Sequence, residues 1–343
     1  MDTDGITQVW SLNSRDLKSL ESEYEFADAK IMGFSQDGNK FIVASDGISP
    51  LAVWSKDGRL LKKFNNAYKN ITKAKFILND KIIISGGAEG IKIWRKDGRL
   101  IRKIKLFEEP DFVYQTPIVD FSNDGKIAVI NHENINIWNQ YGKLQKIIKG
   151  DDAPNSISFS PDGKIIASIS SLGIRMYNQN GKLLKNIEDS GDLIYFSPDG
   201  SIIASTNRRM IKTWSRDGKL LGKGYSQGLI TSISFSSKSN IIASSDDEGI
   251  IKIWNKKCQE IQTLKTSSSI GNINFNPDGK TLIYSGEKVI SMAPFFYVGE
   301  KVILLNFELD DLLKKGCDWL HDYLTTNPNV SAENKRLCNG IKR

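Results

Sequence analysis

Ser156-Ile-Ser-Phe-Ser-Pro-Asp-Gly-Lys-Ile-Ile-Ala-Ser168, with Tyr177 nine residues on, is the stretch whose reading decides the fold. Ser156 to Phe159 alternates polar and apolar residues, as a half-buried strand does. Ser-Pro-Asp-Gly then supplies a turn, because Asp and Gly tolerate the backbone angles that a tight reversal needs. Ile165 to Ser168 is a second short strand, and the run into Tyr177 is a third. After Tyr177, Asn180-Gly181 makes another turn before Leu183-Leu-Lys185, a fourth strand.

The same phrase recurs along the chain. Phe34-Ser-Gln-Asp-Gly38, Phe121-Ser-Asn-Asp-Gly125, Phe196-Ser-Pro-Asp-Gly200 and Phe275-Asn-Pro-Asp-Gly279 are close copies, and Phe76 and Phe235 head two degenerate ones. The seven Phe residues, Phe159 included, are spaced by 42, 45, 38, 37, 39 and 40 residues. An aromatic residue follows each of the first six by 17 to 20 positions: Trp54, Trp94, Trp138, Tyr177, Trp214 and Trp254. Each unit therefore reads as four strands, here called a to d, with a ending on the Phe and c on the aromatic. Short strands repeating about every ten residues, with almost no helical periodicity, mean an all-β array.

A repeat near 40 residues with four strands and a Trp at the end of the third resembles a WD40 β-propeller blade. The resemblance covers about residues 6 to 305 and implies a ring of four-stranded blades. Six units run from Phe34 to about Leu264, and a seventh begins at Phe275 with a strand b at Thr281 to Tyr284. The chain begins mid-repeat, with Ile6 to Trp10 as a strand c and Leu17 to Leu20 as a strand d. We expect the two partial ends to make one blade, giving a seven-bladed ring with no open sheet edge. Beginning mid-repeat also suits a piece of a longer array. Trp10, Trp54, Trp94, Trp138, Tyr177, Trp214 and Trp254 are the expected blade anchors. Two family features are missing: no Gly-His precedes strand a, and Ser, Arg or Asn replaces Asp after each anchor. The family's Asp-His-Ser-Trp hydrogen-bond network therefore cannot form in its usual way, so blade rigidity should rest more on ring packing.

Residues 306–343 form a second unit. Leu309, Leu312, Leu313, Cys317, Leu320 and Leu324 recur at helical spacing, which predicts an amphipathic helix over 308–325, stopped by Asn327-Pro328. The string Leu312 to Leu324, then Asn327-Pro-Asn-Val330 and Leu337-Cys338, resembles the tail of many bacterial WD-repeat proteins. Those carry a STAND-type NTPase, caspase-like or TIR-like module ahead of the repeats. The resemblance implies a sensor region of a signalling protein, with effector domains elsewhere in the parent chain.

Composition narrows the function. Of 343 residues, 39% are apolar and 25% charged, in the globular range. No apolar run approaches the length of a membrane span, and Met1 is not followed by a basic-then-apolar leader. Three cysteines make no disulfide framework, which points to a cytoplasmic protein. Two histidines, His132 and His321, leave little for His-based metal sites or catalytic triads. Cys317, His321 and Cys338 lack the paired spacing of a metal site. Gly279-Lys280-Thr281 imitates the end of a phosphate-binding loop, but Asn274 stands where its first Gly belongs. We expect no enzyme, no cofactor and no metal.

The charge is +7, and propeller topology assigns it to faces. The d–a and b–c loops open on one face, the top, and carry Glu108, Glu109, Asp111, Asp151, Asp152, Glu188, Asp189, Asp246, Asp247 and Glu248. Aromatic residues in the same loops are Tyr24, Phe26, Tyr68, Phe112, Tyr114 and Tyr225. The a–b and c–d turns opposite carry Lys56, Arg59, Arg95, Lys96, Arg99, Lys143, Lys182, Arg216, Lys219, Lys256 and Lys257. An acidic, aromatic top face is expected to bind a protein or peptide, preferably a basic one. The basic face offers a second reading, nucleic-acid binding.

Overall fold

A computed structural model describes residues 30–306 except 46–49, 57, 65, 69, 88, 107–116, 151, 238–240, 267–268, 280 and 293–294, and for 286–306 it describes the backbone alone. Every regular element among the described residues is a β-strand. Blade I is β1 (Lys30–Phe34), β2 (Lys40–Ala44), β3 (Leu51–Ser55) and β4 (Leu60–Lys63). Blade II is β5 (Ile71–Ile77), β6 (Ile82–Gly87), β7 (Gly90–Arg95) and β8 (Leu100–Ile104). Blade III is β9 (Val119–Phe121), β10 (Ile127–Asn131), β11 (Asn134–Trp138) and β12 (Leu144–Ile148). Blade IV is β13 (Ser156–Phe159), β14 (Ile165–Ile169), β15 (Ile174–Asn178) and β16 (Leu183–Ile187). Blade V is β17 (Leu193–Phe196), β18 (Ile202–Asn207), β19 (Met210–Ser215) and β20 (Leu220–Tyr225). Blade VI is β21 (Ile230–Phe235), β22 (Ile241–Asp246), β23 (Ile250–Asn255) and β24 (Glu260–Lys265).

These six are complete four-stranded blades, one fewer than the sequence led us to expect. The remaining sector, sheet VII, has three strands: β25 (Ile270–Phe275), β26 (Thr281–Met292) and β27 (Phe295–Asn306). The expected strand b at Thr281 to Tyr284 is present as the start of β26. Its outer neighbour is β27, with Thr281 facing Asn306 and Tyr284 facing Ile303. β27 thus occupies the place where Ile6 to Trp10 was expected to pair. The cause is local: two β-prone runs either side of residues 293–294 make a long hairpin, and a hairpin forms at lower entropic cost than pairing with a distant terminus. The expected strands at Ile6 to Trp10 and Leu17 to Leu20, and the helix over 308–325, lie outside the described residues.

Apolar clusters fill the spaces between neighbouring sheets. Phe64 of blade I packs edge-on to Trp94 of blade II, with centroids 5.3 Å apart, inside a cluster with Ile42, Phe76 and Ile83. Ile283 of sheet VII joins Ile31, Phe41 and Val43 of blade I, which closes the ring. Asn272 and Asn274 both donate from Nδ2 to the Ile31 carbonyl, at 2.9 and 3.0 Å, across the same seam.

The Phe-Ser-x-Asp-Gly phrase works as a folding device. In Ser160 to Gly163, Ser160 donates from Oγ to Asp162 Oδ1 at 2.6 Å and accepts from Ile165 N at 2.9 Å. Gly163 takes a φ of +65°, open to Gly at little cost. Each anchor ring sits at a bulge: the c–d register shifts at Trp54, Trp94, Trp138, Tyr177, Trp214 and Trp254 alike. The residues skipped on the outer strand include Leu61, Ile101, Leu184, Leu221 and Ile261, all exposed. A bulge twists an edge strand away from pairing, so these apolar residues lie on an edge already blunted against aggregation.

The Ser–Trp part of the network survives in three blades, beside the ring packing on which rigidity was expected to rest more. Trp94, Trp214 and Trp254 donate from Nε1 to Ser85, Ser205 and Ser244 at 3.2, 2.9 and 2.9 Å. Each Ser lies on strand b, two residues past the one facing the anchor. In blades I and III that position holds Val43 and Val129, and there Trp54 and Trp138 are only half-buried.

Candidate functional site

Seven inner strands line a central channel of about 530 Å³. A strand at the centre of a propeller has one edge without a ladder partner, so its N–H and C=O groups need other bonds. Here the side chain just before each repeat Phe supplies many of them to the next sheet. Asp120 Oδ2 accepts from Phe159 N at 2.7 Å, and Ser158 and Ser234 Oγ accept from Phe196 N and Phe275 N at 3.3 and 2.8 Å. Lys75 donates from Nζ to Phe121 O at 3.0 Å. Three residues before the Phe, Ser156 and Ser232 accept from Ile194 N and Ile273 N. Thr72 and Thr231, skipped in the a–b register, donate to Pro117 O and Ile270 O at 3.1 and 2.9 Å. The sequence reading passed over this belt, although Ser-Ile-Ser-Phe shows it.

The channel is charged on one side. Lys73 Nζ lies 3.5 Å from Asp120 Oδ1 and 5.4 Å from the centre of the Tyr195 ring. Burial works to lower the Lys73 pKa, but attraction to Asp120 and Tyr195 outweighs it and raises the value. For Lys75 burial dominates; Asp120 offsets it in part and Lys73 adds repulsion, so its pKa is lowered.

On the top face, Tyr24, Phe26, Glu108, Glu109, Asp111, Phe112, Tyr114, Asp151 and the anchor Trp10 lie outside the described residues. The described carboxylates are mostly loop staples. Asp246 is fully buried and accepts from Ser226 Oγ, Gly228 N, Glu248 N and Ile250 N at 2.7, 3.0, 3.2 and 2.8 Å. Its expected role as a partner contact is therefore corrected: it holds the d–a loop of blade VI to the b–c loop. Asp247 accepts from Leu229 N at 2.7 Å, and Asp152 accepts from Ser171 Oγ and Leu172 N, both at 3.1 Å. The hydrogen bond from Ser170 does most to hold the Asp152 pKa below its ordinary value; burial opposes it, and Leu172 and Ser171 add to the lowering. Asp189 pairs with Lys212 through Oδ1 at 2.7 Å. Glu188 and Glu248 are exposed, and Tyr225 keeps 57% of its surface. Tyr68 is half-covered by Lys92, whose Nζ sits 3.7 Å from the ring centre.

The opposite face is less basic than its lysines suggest. The turns there also carry Asp37, Asp97, Asp124, Asp162, Asp199, Asp217 and Asp278. Asp162 pairs with Arg216 Nη2 at 2.8 Å, and Asp124 with Lys126 at 2.9 Å. Ser35 and the Asn39 amide hold Asp37 down to about 2. Burial alone would raise Asp162, but Ser160, the Lys164 amide and Arg216 hold it at about 2 as well.

Among the described residues no group of three or more His, Cys, Asp or Glu could hold a metal ion. Nor is any helix among them long and apolar enough to cross a membrane.

Two stretches, residues 142–178 and 216–255, match the family model for the WD domain, G-beta repeat. Each runs from the strand d region of one blade to the strand c anchor of the next, Tyr177 and Trp254. The sequence repeat is thus offset by one strand from the blade, and it ties neighbouring blades together. These matches lie on a β-propeller, six of whose sheets are complete four-stranded blades, and the two stretches are similar to WD40 repeats. No curated protein is similar to it at a significant level.

Proposed function

We propose that this chain is a non-catalytic protein-interaction module that serves as the recognition region of a larger bacterial signalling protein. WD40 propellers are generally protein-interaction scaffolds, and the scaffold here is the part supported directly by the repeat matches. The observation that carries the choice of face is the combination of stapled loops with an exposed aromatic. Asp152, Asp246 and Asp247 fix the loops, while Tyr225 stays exposed beside Ser226, itself bonded to Asp246. A rigid loop loses little entropy on binding, and an aromatic presented by it makes an economical anchor.

The partner is a protein or peptide docking on the top face, with effector domains of a parent chain as one source. Nucleic-acid binding through the opposite face is the weaker reading, because the turn aspartates remain ionised among its lysines and arginines. The test is capture of partners from the source cell by the wild-type chain and by two variants. Glu108→Lys with Glu109→Lys and Asp111→Lys, or Tyr225→Ala alone, should lose the partner. Full recovery by both variants refutes the choice of face.

A further inference from the structure

We propose that the central channel is a binding pocket for a small anion, a ligand bearing carboxylate or phosphate groups, entered from the a–b turn face and gripped by Lys73 and Lys75. The wall of the channel is asymmetric. The seven residues before the repeat Phe positions are Gly33, Lys75, Asp120, Ser158, Tyr195, Ser234 and Asn274. The long and charged ones lie in blades II, III and V, while the remainder are short. Lys73 reaches across to the Tyr195 ring of blade V, so the room lies beside that pair, along the short residues, and about 530 Å³ is in the range of small-molecule pockets.

The charge inside does not balance. Asp120 is the acid that acts on both lysines, and it already bonds to Phe159 N through its second oxygen. Lys73 takes the near side of that carboxylate, at 3.5 Å, leaving Lys75 with a backbone carbonyl and the repulsion of its neighbour. Asp80, the other acid of the lining, sits in the a–b turn at the mouth and accepts from Gln36 N at 2.8 Å. Two ammonium groups facing one carboxylate, both partly buried in a channel, will hold an anion more tightly than surface lysines do. Ser158 and Ser234 each keep a hydroxyl proton to donate after accepting from the neighbouring strand.

The mouth differs from the other turns in a matching way. Ser-x-Asp-Gly is replaced in blade II by Leu78-Asn79-Asp80, all three with positive φ, at +53°, +55° and +61°. A β-turn residue costs little there as Gly, but a Leu in that region is strained, and strain of this kind gathers at ligand sites. Leu78 is exposed at the rim, with its amide bonded to Asn123 O across to blade III.

The test is calorimetric titration of the full chain with citrate and, separately, with inorganic pyrophosphate, at fixed ionic strength. Saturable binding of either probe supports the pocket, and the preferred probe tells carboxylate from phosphate ligands. Lys75→Met should weaken binding about tenfold or more, and Asp120→Asn, which removes the competing charge and keeps an acceptor for Phe159 N, should tighten it. Lys143→Met, on an exposed c–d turn, should change nothing. Absence of saturable binding to both probes overturns the proposal. So does equal loss in Lys143→Met and Lys75→Met, or an affinity unmoved by both Lys75→Met and Asp120→Asn. If Lys75→Met fails to fold by circular dichroism, the direction of the Asp120→Asn change decides alone.

Discussion

Replacing Asp246 by Ala should open the top loops of blade VI without touching the ring. Four donors converge on this carboxylate, and they differ in what they can do when it is gone. Glu248 is exposed and Ser226 half-buried, so their groups can turn to water. Gly228 and Ile250 are buried, and their amides have bonds of 3.0 and 2.8 Å to lose. Each orphaned buried donor costs about 1–3 kcal/mol, so two together cost roughly 3 kcal/mol at the lower half of that range. A local opening made easier by about 3 kcal/mol raises exchange about a hundredfold, at 1.4 kcal/mol per decade. The assay is native-state hydrogen exchange, followed at the Gly228 and Ile250 amides in wild type, Asp246→Ala and Asp246→Asn. Asn keeps one oxygen acceptor, so it should lie between the two. Asp247→Ala, removing an exposed group with one bond to Leu229 N, should have a smaller effect. Exchange at Gly228 and Ile250 within about threefold of wild type in Asp246→Ala would refute the staple, since about 0.7 kcal/mol is less than one orphaned amide.

Two further outcomes follow from the same bonds. Ser244→Ala should destabilise the chain by about 1–2 kcal/mol by leaving buried Trp254 Nε1 without its 2.9 Å acceptor, read as a lower urea midpoint; an unchanged midpoint sinks the idea. Asp37 and Asp162, both at about 2 in the folded chain against an ordinary 3.8, contribute stability that is present above about pH 4 and lost as pH falls toward about 2. Asp37→Asn with Asp162→Asn should flatten that part of the urea midpoint against pH, and a curve parallel to wild type would count against it.

What the sequence made legible was whatever a local rule fixes. A Phe followed by Ser-x-Asp-Gly dictates a turn through bonds within five residues, so blades I, III, IV and V could be read without any long-range knowledge, and blades II and VI from the spacing of their Phe and Trp residues. Sheet VII could not be read, because two strands, Ile6 to Trp10 and β27, competed for one place beside Thr281 to Tyr284 and the pattern alone does not rank them. The Trp–Ser bonds fall between these cases. The Ser is invisible when Trp is sought next to its usual neighbours, yet it follows at once from antiparallel register. Trp94 faces Ile83, so the residue two further along strand b is Ser85; the same count gives Val43 for Trp54 and Val129 for Trp138.

Charge misled for a related reason. Assigning a carboxylate to a face says nothing of whether backbone amides already claim it. Asp246 and Glu248 stand two residues apart in one loop; one is buried with four donors and the other is exposed. On the opposite face the Phe-Ser-x-Asp-Gly turns supply an Asp in most repeats, and Asp124 and Asp162 pair with Lys126 and Arg216 there. On the inner wall, Lys75 stands where blades IV and VI have Ser158 and Ser234, and it shares the carboxylate of Asp120 with Lys73. Departures from the repeat at positions that structure does not require are the places to look for binding, and the inner wall of blade II holds three of them: Lys73, Lys75 and the turn at Leu78.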